Sequence, residues 1–383
     1  MTIFLFLALL LAYACGMLLP LCFPHRPHIQ NVMAHGSAAV AGGLGIALGL
    51  IGLLAPEPLV WFLPSSIPLL TFSLRLDSLS AFFVLTISLV GLAVSVFASG
   101  YVREFYGRIP VSLLGFLYNG FLLSMLLVVT ADNAFFFLIV WELMSLLSYF
   151  LVVSEHEKPD VRFAGLFYLI MTHVGTAFIL VTFLMFYQET GSFAFEAFRS
   201  ADQSLPEGLR ILVFWTALIG FGTKAGIVPL HVWLPYAHPA APSHVSALMS
   251  GVMIKTAIYG LLRVYFDFLG GPFPWWWGFV VLLVGTVSAL LGVMYALMEH
   301  DLKSLLAFHS VENIGIILMG IGTGMVFYAY DMPHLAALGI IAGLYHTLNH
   351  AVFKALLFMG AGSLLYATHT RNMEEYGGLL RRM

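Results

Sequence analysis

Four ionisable residues stand in sequence too apolar to solvate them. They are Glu142 in FFFLIVWELMSLLSYF, Lys224 in GFGTKAGIVPLHVWLPY, Lys255 in SALMSGVMIKTAIYGLLR and Lys354 in HAVFKALLF. A lysine at the centre of a bilayer costs about 2.5–3.5 kcal/mol on insertion scales, so its presence there points to function. The chemistry open to such groups is proton uptake and release. A desolvated carboxyl or ammonium changes protonation state readily, and a neighbouring opposite charge reverses the shift. A row of lysines, each coupled to an acid, could therefore pass protons in steps. Glu142 lies ten residues into its apolar segment, near mid-bilayer at about 1.5 Å per residue. Lys224 is its expected partner across a helix interface. The plainer alternatives are a helix-capping role for Glu142 and snorkelling to the headgroups for Lys354.

Histidines accompany these charges. His173, His231, His244, His309, His346 and His350 are relay candidates together with Glu312, and His238 lies beside them. Imidazole and water make a proton wire. Two alternatives remain: core histidines bonded to carbonyls, and haem ligation by paired histidines. His309 and Glu312 are three residues apart and share a helix face.

The elements that must position these groups are membrane helices. The 383 residues are 61% hydrophobic and 9% charged, where a soluble domain carries about 25% charged residues. The reading is an all-α polytopic membrane protein. About twenty apolar residues span a bilayer, and eleven segments qualify: 3–22, 33–54, 78–101, 112–131, 133–153, 162–187, 209–229, 243–266, 275–298, 303–326 and 335–367. Residues 1–110 hold helices one to three, 111–268 helices four to eight and 269–383 helices nine to eleven. The stretch 226–242, with Pro229, Pro235, Pro239 and Pro242, must break a helix, leaving a half-helix or a re-entrant piece. Its freed backbone groups need burial in protein or a wet cavity. Residues 55–77 and 188–208 read as polar connections, and Trp275, Trp276 and Trp277 as an interfacial anchor.

No Lys or Arg precedes Arg26, which argues against a secretory signal and for a retained first span. Cys15 and Cys22 match no metal motif. The net charge of -3 gives no reason to expect nucleic-acid binding. Arg26, Arg103, Arg108, Lys158, Arg162, Lys303, Arg371, Arg381 and Arg382 fall on one side of the spans. Arg75, Arg199, Arg210 and Arg263 fall on the other. The richer side is expected to be cytoplasmic, with the N-terminus outside and the C-terminus inside. A faint repeat relates YLIMTHVGTAFIL from Tyr168 to YHTLNHAVFKALL from Tyr345. The two copies are five spans apart and would run in opposite directions, as in transporters built from inverted repeats.

The stretches VWELMSLLSYFLV (140–152), GFGTKAGIVPLHVWLPYAHPAAPSHVSALMSGVMIKTAIYGLLR (220–263), DLKSLLAFHSVENIGII (301–317) and LNHAVFKALLFMGAGS (348–363) carry a resemblance. The chain resembles the antiporter-like proton-translocating subunits of respiratory complex I, membrane-bound hydrogenases and multi-subunit Na⁺/H⁺ antiporters. HSVENIG and LYHTLNHAVFKALLF are most similar to the large antiporter-like subunit of formate hydrogenlyase and hydrogenase-4. The resemblance implies two inverted five-helix repeats, spans four to eight and nine to thirteen. It implies that Glu142 and Lys224 act as a pair, and that Lys255 and Lys354 relay protons to a charged residue on a broken span twelve. The sequence ends at Met383, so the second repeat is expected to be incomplete, as in a shortened product, a fragment or a path completed by another chain.

The implied function is proton translocation within a redox-driven complex in a bacterial or archaeal cytoplasmic (inner) membrane. Other membrane subunits would be partners, and peripheral nickel–iron or iron–sulfur subunits would carry the redox chemistry. The chain itself has no cysteine cluster or nucleotide-binding glycine motif, and no cofactor is expected in it. A Na⁺/H⁺ antiporter subunit without redox partners and a non-pumping scaffold are the alternatives.

Overall fold

The computed structural model describes residues 2–63, 71–201, 205–270 and 273–379. Among the described residues, eleven helices are long and apolar enough to cross a membrane. In chain order they are α1 (Thr2–Leu18), α2 (Pro27–Leu54), α3 (Ser78–Tyr101), α4 (Val111–Thr130), α5 (Ala134–Val152), α6 (Pro159–Thr190), α7 (Glu207–Ala225), α8 (Ser243–Phe268), α9 (Trp275–Ala296), α10 (Leu302–Ala329) and α11 (Pro333–Thr368). Their starts are set locally. Asp77 caps α3 by accepting from Ser80 N, Asn133 caps α5 from Phe136 N, and Asp301 caps α10 from Lys303 N and Ser304 N. Each satisfies backbone donors that have no partner within the first turn. Pro27, Pro159 and Pro333 occupy first turns, where the missing N–H costs nothing. α6 and α7 end on Gly191 and Gly226, both left-handed.

α8 is buried along its length except at Phe266 and Asp267, which are partly exposed. It is not a uniform α-helix: Met249–Met253 and Arg263–Phe268 are π-helical. Such bulges are frequent at functional sites. α9, α10 and α11 pack through glycine seams. A Cβ on Gly285 would lie 2.8 Å from the Gly315 carbonyl oxygen, and one on Gly339 would lie 2.7 Å from Gly324 N. Small residues let backbones approach where lipid supplies no hydrophobic drive between helices.

The structure departs from the sequence reading in several places. α7 stops at Ala225 rather than at 229, because Gly226 turns the chain. A short helix, Leu234–Ala240, fills part of the break. The connection 55–77 contains a two-stranded antiparallel sheet, β1 (Leu59–Leu63) and β2 (Phe72–Leu76). The connection 188–208 contains a short helix, Phe195–Ser200. Of the three tryptophans, Trp275 is exposed, but Trp277 is buried and stacks on Phe214 at 4.8 Å. The repeat matched by Tyr and His does not place like with like: Tyr168 and His350 are buried, whereas Tyr345 and His173 are exposed. Arg381 and Arg382, counted for orientation, lie outside the described residues.

Two residues counted with the loop charges, Arg199 and Arg263, instead build an ion-pair network. Arg263 is bonded to Asp77 and, at 3.0 Å, to Asp267. Arg199 bridges Asp267 at 2.9 Å and Asp132 at 3.2 Å. The network ties the end of α8 to the start of α3, the α4–α5 turn and the helix Phe195–Ser200. Arg263→Ala is expected to cost about 3 kcal/mol, because it leaves the Asp77 carboxylate with only the longer Arg75 contact at 3.6 Å, whereas Asp267 keeps Arg199. Thermal unfolding of the detergent-solubilised protein would register this as a lowered transition. Arg263→Lys should recover only part, since one ammonium cannot reproduce the fork.

Candidate functional site

The break after α7 leaves backbone groups at membrane depth, and side chains satisfy them. Trp233 Nε1 donates to the Thr223 carbonyl at 2.9 Å, and Val228 N donates to Ser288 Oγ at 3.0 Å. Farther on, Ser246 Oγ donates to the His238 carbonyl at 2.7 Å. Arg371 donates to Pro239 O at 2.7 Å, and Lys303 Nζ donates to Ala241 O and Pro239 O. Irregular backbone here is thus covered by protein donors, as a low-dielectric setting demands.

Lys224 lies at the end of α7 with 2% of its surface exposed. It donates to Ser145 Oγ at 2.8 Å and Tyr168 OH at 3.0 Å, and sits over the rings of Tyr168 and Trp141. The sequence reading made Glu142 its direct partner; the structure does not. Glu142 Oε2 instead lies 3.2 Å from His173 Nε2 on the outer side of α5 and α6. The helical rotation of α5 turns Ser145, not Glu142, toward Lys224. The Glu142 charge still acts on Lys224 across this gap. Glu142 and His173 are partly exposed on a lateral face, where a polar pair at membrane depth calls for protein cover.

Lys255 is fully buried and donates to the carbonyl of Ser250, five residues earlier across the π-bulge. Ser250 Oγ meets Ser310 Oγ at 2.7 Å, joining α8 to α10. Lys354 is buried in the middle of α11 and donates to the Leu306 carbonyl at 3.1 Å. Snorkelling is therefore excluded for Lys354. The Lys354 charge acts on Lys255, and that of Glu312 on Lys354.

A fourth lysine belongs to this set. Lys303, read from sequence as a loop charge, is buried at the start of α10. It lines a cavity of about 840 Å³ with Tyr101, Glu104, Glu155, Pro242 and Arg371. The cavity opens on the face that carries Arg108 and Lys158. His238 stands behind it, fully buried, with neither ring nitrogen bonded to protein. The charges of Lys303, Lys354 and Lys255 all act on His238. Sequence could have flagged Lys303: among its neighbours, DLKSLLAFHSV turns apolar immediately, so the lysine falls in the first turn of a span.

The remaining histidines separate into groups. His309 Nδ1 meets Glu312 Oε2, as their spacing implied, and Asn313 Oδ1 meets His346 Nε2 at 2.9 Å. His346 stacks near His350, ring centroids 6.3 Å apart, and His350 is buried with both nitrogens unbonded to protein. His231 lies apart, against the rings of Tyr295 and Phe308. His244, in α8, is buried beside Tyr101 and Tyr118. Unbonded buried ring nitrogens are sites for ordered water. Among the described residues no three His, Cys, Asp or Glu side chains group as a metal site.

Among the described residues, Lys158 is the one lysine in an ion pair, with Glu155. Lys224, Lys255, Lys303 and Lys354 have only neutral acceptors. Buried cations that served packing would be expected to carry close carboxylates. Cations held by hydroxyls and carbonyls can give up a proton without stranding an opposite charge.

Comparison with known proteins agrees with this architecture. Residues 131–383 match the family described as NADH:quinone oxidoreductase/Mrp antiporter, transmembrane. Residues 61–108 match that described as NADH-ubiquinone oxidoreductase (complex I), chain 5 N-terminus. The chain is 46% identical to hydrogenase-4 component B of Escherichia coli K12 over 348 residues, covering 91% of this chain and 51% of that protein. It is 35% identical to formate hydrogenlyase subunit 3 of the same organism over 318 residues, covering 83% and 50%. It thus spans about half the length of these curated relatives. Two solved assemblies share its fold at 25% identity. One is the Mrp complex from Dietzia sp. DQ12-45-1b, with a TM-score of 0.81 over 99% of this chain and 39% of that one. The other is the membrane-bound sulfane sulfur reductase, an archaeal respiratory membrane complex, with a TM-score of 0.83 over 99% and 59%. By family match, sequence identity and eleven-span architecture, this multi-pass membrane chain belongs to the NADH:quinone oxidoreductase/Mrp antiporter transmembrane family.

Proposed function

We propose that the chain conducts protons within a redox-driven membrane assembly of the hydrogenase or complex I type. The observation that carries this reading is the row of four buried lysines with neutral acceptors only. Protons enter from the cavity at Lys303, on the face the basic residues make cytoplasmic, and the N-terminus is outside. From Lys303 they pass through water at His238 to Lys255 and Lys354. Lys224 sits at the helix break, where Tyr168 OH links it to Met253 of α8, with Glu142 on the outer side of α5. His309, Glu312, Asn313, His346 and His350 extend the polar track from α10 to α11.

The relatives support membrane partners, since hydrogenase-4 and formate hydrogenlyase name assemblies of several components. Peripheral nickel–iron or iron–sulfur subunits would supply the redox step. The test is acidification of everted vesicles driven by the complex's own redox substrate in sodium-free medium. Full acidification is expected. A strict sodium requirement would replace this reading with sodium–proton exchange.

A further inference from the structure

A second buried polar cluster lies off the lysine set, where α1 to α4 meet the start of α8. His35 in α2 and His244 in α8 have ring centroids 6.0 Å apart. Tyr118 of α4 lies 5.0 Å from His35 and 5.6 Å from His244, and Tyr101 of α3 lies 5.7 Å from His244. Both imidazoles are at most 1% exposed. The His35 tautomer is set by its neighbour: Nδ1 lies 3.1 Å from the Asn31 carbonyl, which can only accept. The proton is therefore on Nδ1, and Nε2 is the basic nitrogen. Asn31 is held in turn, donating to Ser99 O and Tyr106 OH, both at 2.9 Å. His35 Nε2, both nitrogens of His244 and the Tyr13 hydroxyl are buried without a protein partner.

Apolar side chains would fill this place without desolvating four polar atoms, so packing does not account for it. The cluster abuts the cavity. Tyr101 and Pro242 line the cavity wall, Ser243 N donates to Tyr101 OH at 3.4 Å, and His244 follows directly. Lys303 lines the same cavity as Tyr101 and Pro242.

We propose that His35 and His244 form a proton-holding side station on the cavity, an inference that rests on the proton-path reading above. The Lys303 ammonium, or a protonated cavity water, gives a proton to one nitrogen of His244. The opposite nitrogen of His244 releases its own proton through a bridging water to His35 Nε2. His35 then carries both N–H groups as imidazolium, and His244 is neutral again. Return reverses each transfer, and no group is consumed. Two imidazolium rings this close repel, so the station holds one proton at a time. It keeps a proton beside Lys303 while Lys303 is itself unprotonated.

The test uses the assembled complex with ¹⁵N-labelled histidine, in wild type, His35→Gln and His244→Gln. It reads redox-driven proton translocation and the imidazole–imidazolium infrared difference signal on energisation. The expected result is a several-fold slower translocation in each variant with normal assembly, and loss of a histidine signal that wild type gives. Gln keeps a donor for the Asn31 carbonyl, so a merely structural histidine would leave both readouts unmoved. Wild-type translocation in both variants, or no histidine signal that they remove, overturns the proposal. Should His35→Gln fail to assemble, the His244→Gln pair of readouts decides in the same way. Lys224→Ala is measured alongside: if it pumps normally the path itself fails, and if it alone is dead only the side station fails.

Discussion

Lys224→Ala is expected to reduce redox-driven proton translocation by about a hundredfold or more while the complex still assembles. Positioned proton-transfer groups contribute about 10²–10⁴-fold, and Lys224 occupies the helix break with no substitute beside it. Assembly should survive because the groups left behind keep partners. Tyr168 OH still meets Ser148 Oγ at 2.6 Å, and Ser145 Oγ still donates to the Trp141 carbonyl at 3.1 Å. The more discriminating substitution is Lys224→Arg. Guanidinium preserves the charge and the donors to Ser145 and Tyr168 but does not release its proton. A packing role would be rescued by arginine; a relay role would not. Acidification of vesicles containing each variant, normalised to the amount of assembled complex, separates the two.

The second large effect is expected at Lys303. Lys303→Met should slow proton uptake about a hundredfold, on the same footing of a lost proton-transfer group. The backbone it covers is only partly stranded. Arg371 still donates to Pro239 O, and Ser246 Oγ still donates to Ala241 O at 3.2 Å. Lys303→Arg retains donors to both carbonyls and should be nearly as slow. The measurement is the initial rate of proton uptake from the cavity face under redox drive. Rates for Lys303→Met equal to wild type would make the lysine a backbone clamp.

Much of this was legible in the sequence, for physical reasons. Apolar length alone sets the spans, because the bilayer is a fixed thickness. Lys224, Lys255 and Lys354 stood out because charge in such runs is costly. What the sequence leaves open is rotation between helices. Spacing places Glu142 at mid-span but does not say which way it faces, and it meets His173 rather than Lys224. Lys303 is legible as a first-turn residue of a span, but its burial is not. Its burial comes from residues 239–242, sixty positions away, folding over it. His35 carried the same signal as the other histidines, an imidazole within a run of small and apolar residues. Its significance depends on His244, which only the fold brings near. The hairpin β1–β2 escaped because LVWFL is apolar throughout and lacks the alternation that marks a half-buried strand.

The central claim is that protons cross through the buried lysines. Lys255 tests it most directly, since it is fully buried and, among the described residues, donates to the Ser250 carbonyl alone. The measurement is protons translocated per redox turnover in sodium-free proteoliposomes holding the assembled complex, wild type against Lys255→Met. A ratio that collapses while redox turnover continues is predicted. An unchanged ratio in a correctly assembled variant would contradict the account.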